Sequence, residues 1–273
     1  MEEHSRNMMK PCFSFLGFFV VILAILTALM WLLGGGDVRM AQAEALYHRG
    51  ESALTVFEKN RAFNQALDLF LKLEEKHAPN FGTGKLPYNI GNTYFQLGVY
   101  PLAIFYYKSA ENLMPRSGSV KKNLSLTRQK MGLETPKTTF FDFVFLRNFL
   151  SLAERLQLFF VSSLLTLLLF SIWLWKKNRW LVLAGSFFCA VASFLLINLG
   201  FSYYLSPIEA VLIHAVEVRR DAGMGFAKAA DRPIPGGSVL EVTGSTPDGK
   251  WLKVFAADCA FGYVPSESLR IID

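Results

Sequence analysis

Cysteine and histidine are scarce in this chain of 273 residues, which contains three of the first and four of the second. Cys12 and Cys189 lie in or beside apolar runs and Cys259 lies alone far downstream, so no two have the spacing of a zinc site or a redox pair. The histidines are too dispersed along the chain to indicate a metal site or a catalytic triad. We therefore expect no metal, no cofactor and no enzymatic activity.

An excess of one charge is also lacking, since the formal net charge is only +6. The basic residues are spread over the polar parts of the chain and form no stripe interleaved with aromatic residues, so nucleic-acid binding is not expected. A glycine triplet at residues 34–36 is not followed by Gly-Lys-Ser/Thr, which excludes a phosphate loop and favours a flexible spacer.

Long apolar runs are what the chain does have, and its hydrophobic fraction of 52% exceeds that of an ordinary soluble protein. Residues 156–175 and 180–205 carry no formal charge, and each run is about the 20 residues that a helix needs to cross the roughly 30 Å hydrocarbon core. A buried hairpin in a soluble core is the alternative, but neither run has an amphipathic face. The sequence predicts a transmembrane helical hairpin over residues 156–205.

The turn between these runs predicts the orientation of the hairpin. Residues 176–179 include three basic residues, and the positive-inside bias places such a short loop in the cytoplasm. Tryptophans cluster at the turn and tyrosines mark the opposite interface: Trp173, Trp175, Trp180, Tyr203 and Tyr204. The parts of the chain on either side of the hairpin are therefore expected outside the cytoplasm.

Residues 1–40 have the layout of an export signal or an N-terminal membrane anchor. Arg6 and Lys10 precede an uncharged run over residues 13–33. That run is longer than the roughly 7 to 15 residues of a cleavable signal, which favours a retained anchor. Ala41 and Ala43 nevertheless fit a cleavage site, so removal of the segment stays open. Either outcome places the following segment outside the cytoplasm, in agreement with the hairpin.

Residues 41–135 show helical periodicity and include one clear unit of about 34 residues, from 84 to 117. Its pattern resembles the tetratricopeptide repeat and is formed by Pro87, Ile90, Gly91, Tyr94, Gly98, Tyr100, Ala103, Tyr107, Ala110 and Pro115. An earlier copy is indicated by Leu46, Gly50, Ala66, Phe70 and Leu73. Small residues such as Gly91 should let two antiparallel helices approach closely.

About two repeats and a capping helix over residues 120–131 are fewer than the roughly three repeats that usually make a stable stack. We therefore expect a neighbour to complete the stack: a second copy, the membrane or a partner protein. The groove of such repeats binds peptides or partner helices, and its candidate residues here are Asn89, Asn92, Gln96 and Lys122.

The polar side chains of these four candidates could hold a partner's backbone or carboxylate, although a solvated polar face is the alternative. Tyr47 and Glu51 occupy positions where a carboxylate-clamping repeat would carry lysine and asparagine. Binding of an acidic carboxyl-terminal tail is therefore not expected.

Residues 136–155 mix several phenylalanines with a few charges, which favours a segment along the membrane surface over the alternative of a core helix. Residues 206–273 contain short β-rich runs at 211–218, 239–243, 251–255 and 261–264, with turn signals at 235–237 and 247–249. This predicts a small all-β barrel, and its pattern resembles a bacterial SH3-like domain. The resemblance implies ligand-binding roles for Arg219, Trp251 and Tyr263, with a core role for Trp251 as the alternative.

The order of these parts resembles the BatE family of the bacterial aerotolerance (Bat) gene cluster. The resemblance implies a multidomain protein of the bacterial cytoplasmic (inner) membrane, with its all-α repeats and its SH3-like domain outside the cytoplasm. It also implies a non-enzymatic scaffold that works beside membrane proteins with von Willebrand factor A domains and a MoxR-type ATPase. The alternative function is a cell-wall peptide-binding or envelope-sensing module that acts through the SH3-like domain.

Overall fold

The computed structural model describes residues 38–76, 84–134, 146, 149–204, 207–255 and 261–272. Its helices are α1 (Val38–Ser52), α2 (Val56–Lys76), α3 (Lys85–Gln96), α4 (Tyr100–Leu113), α5 (Gly118–Lys130), α6 (Leu152–Lys176) and α7 (Arg179–Tyr204). Its strands are β1 (Ile208–Leu212), β2 (Val239–Ser245), β3 (Trp251–Phe255), β4 (Gly262–Pro265) and β5 (Leu269–Ile271). Most of the predicted export segment, residues 1–37, lies outside the described residues, as do most residues of the 136–155 juncture.

Helices α1 to α5, here called the helical unit, pack as two antiparallel pairs followed by one further helix. In each pair a glycine of the first helix faces an aromatic ring of the second. A Cβ atom at Gly50 would lie 2.7 Å from the Phe63 ring, and one at Gly91 would lie 2.8 Å from the Tyr107 ring. The close helix approach predicted at Gly91 is therefore confirmed.

Helix α5 matches the predicted capping helix in extent but is more buried than a capping role requires. Val120, Leu124 and Arg128 are all buried, and Arg128 is only 8% exposed. Burial lowers the pKa of the Arg128 guanidinium, and the nearby carboxylates of Glu111 and Glu209 act in the opposite direction. Because Glu209 belongs to β1, this helix faces another part of the chain.

The five strands, here called the sheet module, form one antiparallel sheet in the order β4-β3-β2-β1-β5. Its core consists of Ala210, Leu212, Val218, Ile234, Leu240, Leu252, Val254, Val264 and Leu269. The predicted strand over 211–218 was wrong at its carboxyl end, because β1 stops at Leu212 and Val216 instead forms an isolated bridge with Ile234. The strand β5 was not predicted, and it pairs with β1.

The sheet module packs directly on the helical unit. Val211 of β1 and Ile272 share a buried cluster with Ile104, Tyr107 and other residues of α4 and α5. Lys108 of α4 lies 3.3 Å from the Glu209 carboxylate. The chain's own sheet therefore covers the helical stack, and this neighbour was not among the three expected from the sequence.

Helices α6 and α7, here called the apolar hairpin, lie side by side and are long and apolar enough to cross a membrane. Their most apolar windows have mean hydropathies of 2.2 and 2.3, and few of those residues are buried within the protein. Helix α6 begins four residues before the predicted run, since Ser151 and Glu154 form a capping box. The predicted turn is confirmed, and Lys177 adopts a left-handed backbone there with φ of 48°.

Candidate functional site

A cleft of about 380 Å³ opens on the helical unit and is lined by residues of α1, α2, α3 and α5. The residues that line it are Glu44, Tyr47, His48, Glu51, Phe70, Tyr88, Asn89, Asn92 and Asn123. Asn89 and Asn92 were predicted as partner-binding residues, and the structure brings them together in this cleft. Gln96 and Lys122 are not among the lining residues.

Helical periodicity explains which side chains reach the cleft. Helix α1 contributes positions i, i+3, i+4 and i+7, which lie on one helix face: Glu44, Tyr47, His48 and Glu51. Helix α3 contributes Asn89 and Asn92 at the i, i+3 spacing. The polar stripe on α1 is visible in the sequence and could have identified that wall, whereas the contribution of Asn123 depends on how α5 packs.

An amide and tyrosine network forms the floor of the cleft. The Oδ1 atom of Asn92 accepts hydrogen bonds from the Tyr107 hydroxyl at 2.8 Å and from Nδ2 of Asn123 at 2.9 Å. Asn123 Nδ2 also donates to the Tyr88 hydroxyl at 3.2 Å. Burial raises the pKa of the Tyr107 phenol far above its ordinary value, so this hydroxyl stays protonated and donates. Asn92 therefore supports the fold through its carbonyl oxygen.

The α1 side chains that line the cleft are here called the α1 wall, and the carboxylates of Glu44 and Glu51 lie at its two ends. Glu44 accepts a hydrogen bond from Asn89 Nδ2 at 3.0 Å, and Glu51 lies 2.9 Å from Nδ1 of His48. Burial raises the pKa of the Tyr47 phenol, a hydrogen bond with Gln96 lowers it, and the Glu51 carboxylate raises it. Gln96 thus borders the cleft through its contact with Tyr47.

Lys122 is exposed on α5, next to the cleft residue Asn123 in sequence. Adjacent helical residues point about 100° apart, so the two side chains do not share a face. The predicted role of Lys122 as a cation that holds a partner carboxylate gains no support from this position.

The three ligand candidates of the sheet module lie together on one face. Arg219 and Tyr263 exchange backbone hydrogen bonds of 2.9 and 2.8 Å. Trp251 pairs with Pro265, two residues from Tyr263, so strand alternation places Trp251 and Tyr263 on the same side of the sheet. The sheet core takes the other side through Leu252 and Val254. Trp251 is half-buried on the outer face, which argues against the alternative of a core role.

Further charged residues flank this outer face. Arg219 Nη2 lies 2.8 Å from the Glu217 carboxylate, and Lys228 forms a second ion pair with Glu217. The hydrogen bond from Lys228 lowers the pKa of Glu217. Lys253, which pairs with Tyr263, has its Nζ atom 5.4 Å from the centroid of the Phe261 ring. The face therefore combines the cations Arg219, Lys228 and Lys253 with aromatic rings and with the carboxylate of Glu217.

Neither site has the donor set of a metal centre. Within the described ranges of the chain, no group of three or more histidine, cysteine, aspartate or glutamate residues lies close enough to hold a metal ion. The cleft offers carboxylate, amide and aromatic groups, which suit the recognition of a polar or cationic group. No protein-family model and no curated protein matches this chain, so its function is inferred from the geometry of the cleft and of the sheet face.

Proposed function

We propose that this protein is a non-enzymatic scaffold of the bacterial cytoplasmic membrane that assembles envelope protein complexes linked to stress or oxygen tolerance. In this proposal the helical unit is a tetratricopeptide repeat segment that binds a partner in its cleft. The sheet module is an SH3-like domain that packs against the repeats and stabilises them. Both lie outside the cytoplasm.

The observation that carries the proposal is the packing of the sheet module on the helical unit, with the apolar hairpin inserted between them in sequence. Ile104 of α4 and Val211 of β1 are fully buried in one cluster. A Cβ atom at Gly237, whose φ is 82°, would lie only 2.9 Å from Ile104 Cδ1. Two parts that share a core act as one body, and the hairpin attaches that body to the bilayer at two points.

This packing also supports the proposed topology. Parts that touch each other must lie on the same side of a membrane. The two helices between them must therefore cross an even number of times, as a hairpin does. This contact does not depend on the basic residues in the turn. The contact and the basic turn together favour a turn in the cytoplasm, with the helical unit and the sheet module outside.

A scaffold of this kind needs a recognition surface held at a constant distance from the bilayer. Arg116, which follows α4, forms an ion pair with Glu154 in the first turn of α6. This contact joins the helical unit to the start of the apolar hairpin. The cleft is thereby positioned to receive a membrane-bound partner, and the resemblance to the BatE family suggests membrane proteins with von Willebrand factor A domains and a MoxR-type ATPase system.

Site-specific photo-cross-linking in cells tests the proposal. A benzophenone amino acid in place of His48, an exposed lining residue, should cross-link to a discrete membrane protein. The matched control carries the same group in place of Glu75, which is exposed on α2 and does not line the cleft. The absence of adducts from His48, or the same adducts from both positions, would refute the scaffold proposal.

The sheet face supports a second candidate function, the binding of cell-wall peptides. Its favouring observation is that Arg219, Trp251 and Tyr263 lie on one outer face although they are widely separated in sequence. Because Val211 and Ile272 are buried against the helical unit, the test needs the full chain in detergent and not the isolated module. Purified wall peptides should bind the full chain, and Tyr263→Ala should weaken that binding severalfold. Equal binding by both proteins would remove this candidate.

A further inference from the structure

We infer that the cleft recognises a basic side chain, lysine or arginine, presented by a peptide segment of the partner protein. This inference rests on the proposed scaffold function and adds the chemical class of the segment that the helical unit binds. It follows from the charges, the aromatic rings and the amides that line the cleft.

The lining includes two carboxylates, those of Glu44 and Glu51. Among the residues that the structure describes, no lysine or arginine lines the cleft. The two glutamates are seven residues apart on one helix face, about 10 Å along the axis. A carboxylate ligand would be repelled along this whole wall, whereas a cation would be attracted from either end.

The intramolecular contacts leave acceptor capacity on both carboxylates. Each ionised carboxylate has about four acceptor positions. The structure uses one on Glu44, for Asn89 Nδ2, and two on Glu51, for His48 Nδ1 and the Tyr47 hydroxyl. A guanidinium or ammonium group in the cleft can therefore form charge-assisted hydrogen bonds without breaking the contacts that hold the wall in place.

Aromatic rings complete the cation-binding chemistry. Tyr47 and Tyr88 line the cleft, and the faces of such rings attract a cation within roughly 6 Å. Both rings are held by packing, since Tyr47 lies 5.2 Å from Phe63 and Tyr88 lies 6.1 Å from Tyr107, centroid to centroid. A preformed aromatic wall costs little conformational entropy when a ligand binds.

The amides on the α3 side indicate that the cation belongs to a peptide. Because Oδ1 of Asn92 accepts two hydrogen bonds, its Nδ2 group is the part that can donate to a ligand carbonyl. Asn89 uses Nδ2 toward Glu44, which leaves its Oδ1 atom to accept from a peptide N–H. Paired donors and acceptors of this kind match the backbone of an extended segment beside the basic side chain.

The test measures the binding of capped five-residue alanine peptides to the full chain in detergent by ligand-observed NMR. Their central residue is arginine, lysine, norleucine or glutamate. The arginine and lysine peptides should bind at least about tenfold more tightly than the other two, a difference of about 1.4 kcal/mol. Equal affinity across the series would overturn the inference.

Charge-neutral variants show whether the preference arises in the cleft. The double variant Glu44→Gln and Glu51→Gln should lose the preference for the basic peptides. The control Glu58→Gln and Glu75→Gln removes the same charge from exposed positions on α2 and should keep it. A loss of preference in the control as well would assign the effect to the overall field of the protein and overturn the inference.

A variant that adds a positive charge at an exposed position tests the inference without the risk that a loss of binding reflects misfolding. His48 is exposed, so His48→Lys should fold normally and should weaken binding of the arginine peptide by about tenfold through charge repulsion. Unchanged binding would contradict the inference. Tighter binding of amine-bearing wall peptides than of the arginine peptide would also overturn the assignment to a protein segment.

The two proposals fail in different ways. If the His48 position cross-links to a membrane protein but the arginine and glutamate peptides bind alike, the scaffold function stands and the basic-segment inference falls. If the cross-linker captures nothing, the scaffold function itself falls.

Discussion

Gly91 is the residue at which α3 comes nearest to the ring of Tyr107. Gly91→Ala would place a Cβ atom 2.8 Å from that ring, which is fully buried and held by Asn92. Overpacking typically costs about 1–3 kcal/mol, against a gain of about 1 kcal/mol in helix propensity. We expect a net loss of up to about 2 kcal/mol in the free energy of unfolding, measured by denaturant titration of the full chain in detergent.

Gly118→Ala is the matched control for this substitution. Gly118 begins α5, and nothing lies within 4 Å of the position of an added Cβ atom. Its free energy of unfolding should be unchanged or slightly higher. A Gly91→Ala protein as stable as the Gly118→Ala protein would contradict the close packing of α3 on α4.

The carboxyl group of Glu74 on α2 should make the free energy of unfolding depend on pH. Burial raises the pKa of its carboxyl above the ordinary 4.5, although the hydroxyl of Tyr106 donates to it at 2.8 Å and Arg270 lies near enough to act in the opposite direction. The folded state therefore binds this proton more tightly than the unfolded chain does, and stability falls as the pH rises from about 4.5 through the raised pKa. Glu74→Gln should flatten this part of the stability profile.

The measurement for Glu74 is thermal unfolding at a series of pH values from 4 to 8. Glu75→Gln removes an exposed carboxyl one residue away and should keep the fall seen in the natural protein. A Glu74→Gln protein that loses stability with rising pH as steeply as the natural protein would disprove the assignment to Glu74.

At the scale of elements, strand β1 joins two cores. Ala210 and Leu212 face the core of the sheet module, while Val211 faces the helical unit, and all three are fully buried. Val211→Asp would place an unpaired carboxylate in the interface, which costs several kcal/mol. We expect faster hydrogen exchange of the α4 backbone amides in this variant, with the sheet core of the module retained.

Ile208→Asp provides the comparison on the same strand. Ile208 is 54% exposed, so an aspartate there remains in contact with water. Its hydrogen exchange in α4 should match that of the natural protein. Unchanged exchange in the Val211→Asp protein would show that the sheet module does not hold the helical unit.

Local patterns predicted most of the elements, because they depend on residues close together in sequence. The helical period marked α3 and α4, and residues 251–255 were predicted as the strand that β3 forms. The apolar run alone predicts a start at residue 156, whereas the capping box of Ser151 and Glu154 starts α6 four residues earlier, at Leu152. Element ends without such a signal, such as that of β1 at Leu212, were less accurate.

The docking of the sheet module could not be predicted from local patterns. Residues 210–212 are three apolar residues in a row, which indicates a strand that is buried on both faces. Such a run does not show whether the face that carries Val211 packs on another sheet or on helices. For the same reason Asn89 and Asn92 were predicted as groove residues, but the opposing wall with Glu44 depended on the placement of α1. Contacts between distant segments decide both features.

At the scale of the whole molecule, the central claim is that the helical unit and the sheet module form one body on one side of the membrane. In the proposed topology, the apolar hairpin enters the bilayer from this body and returns to it, with its turn in the cytoplasm. The claim combines the shared cluster around Val211 with the basic turn, which are independent observations. It requires that both extramembrane parts respond alike to any reagent that cannot cross the membrane.

Cysteine labelling in intact spheroplasts with a membrane-impermeant maleimide shows whether the helical unit and the sheet module both lie outside the cytoplasm. The three native cysteines are replaced by serine, and single cysteines are introduced as Glu75→Cys, Ser245→Cys and Lys176→Cys, all at exposed positions. We predict labelling at 75 and 245 in intact spheroplasts, and labelling at 176 only after lysis. Opposite behaviour of 75 and 245, or labelling of 176 together with them before lysis, would contradict the account.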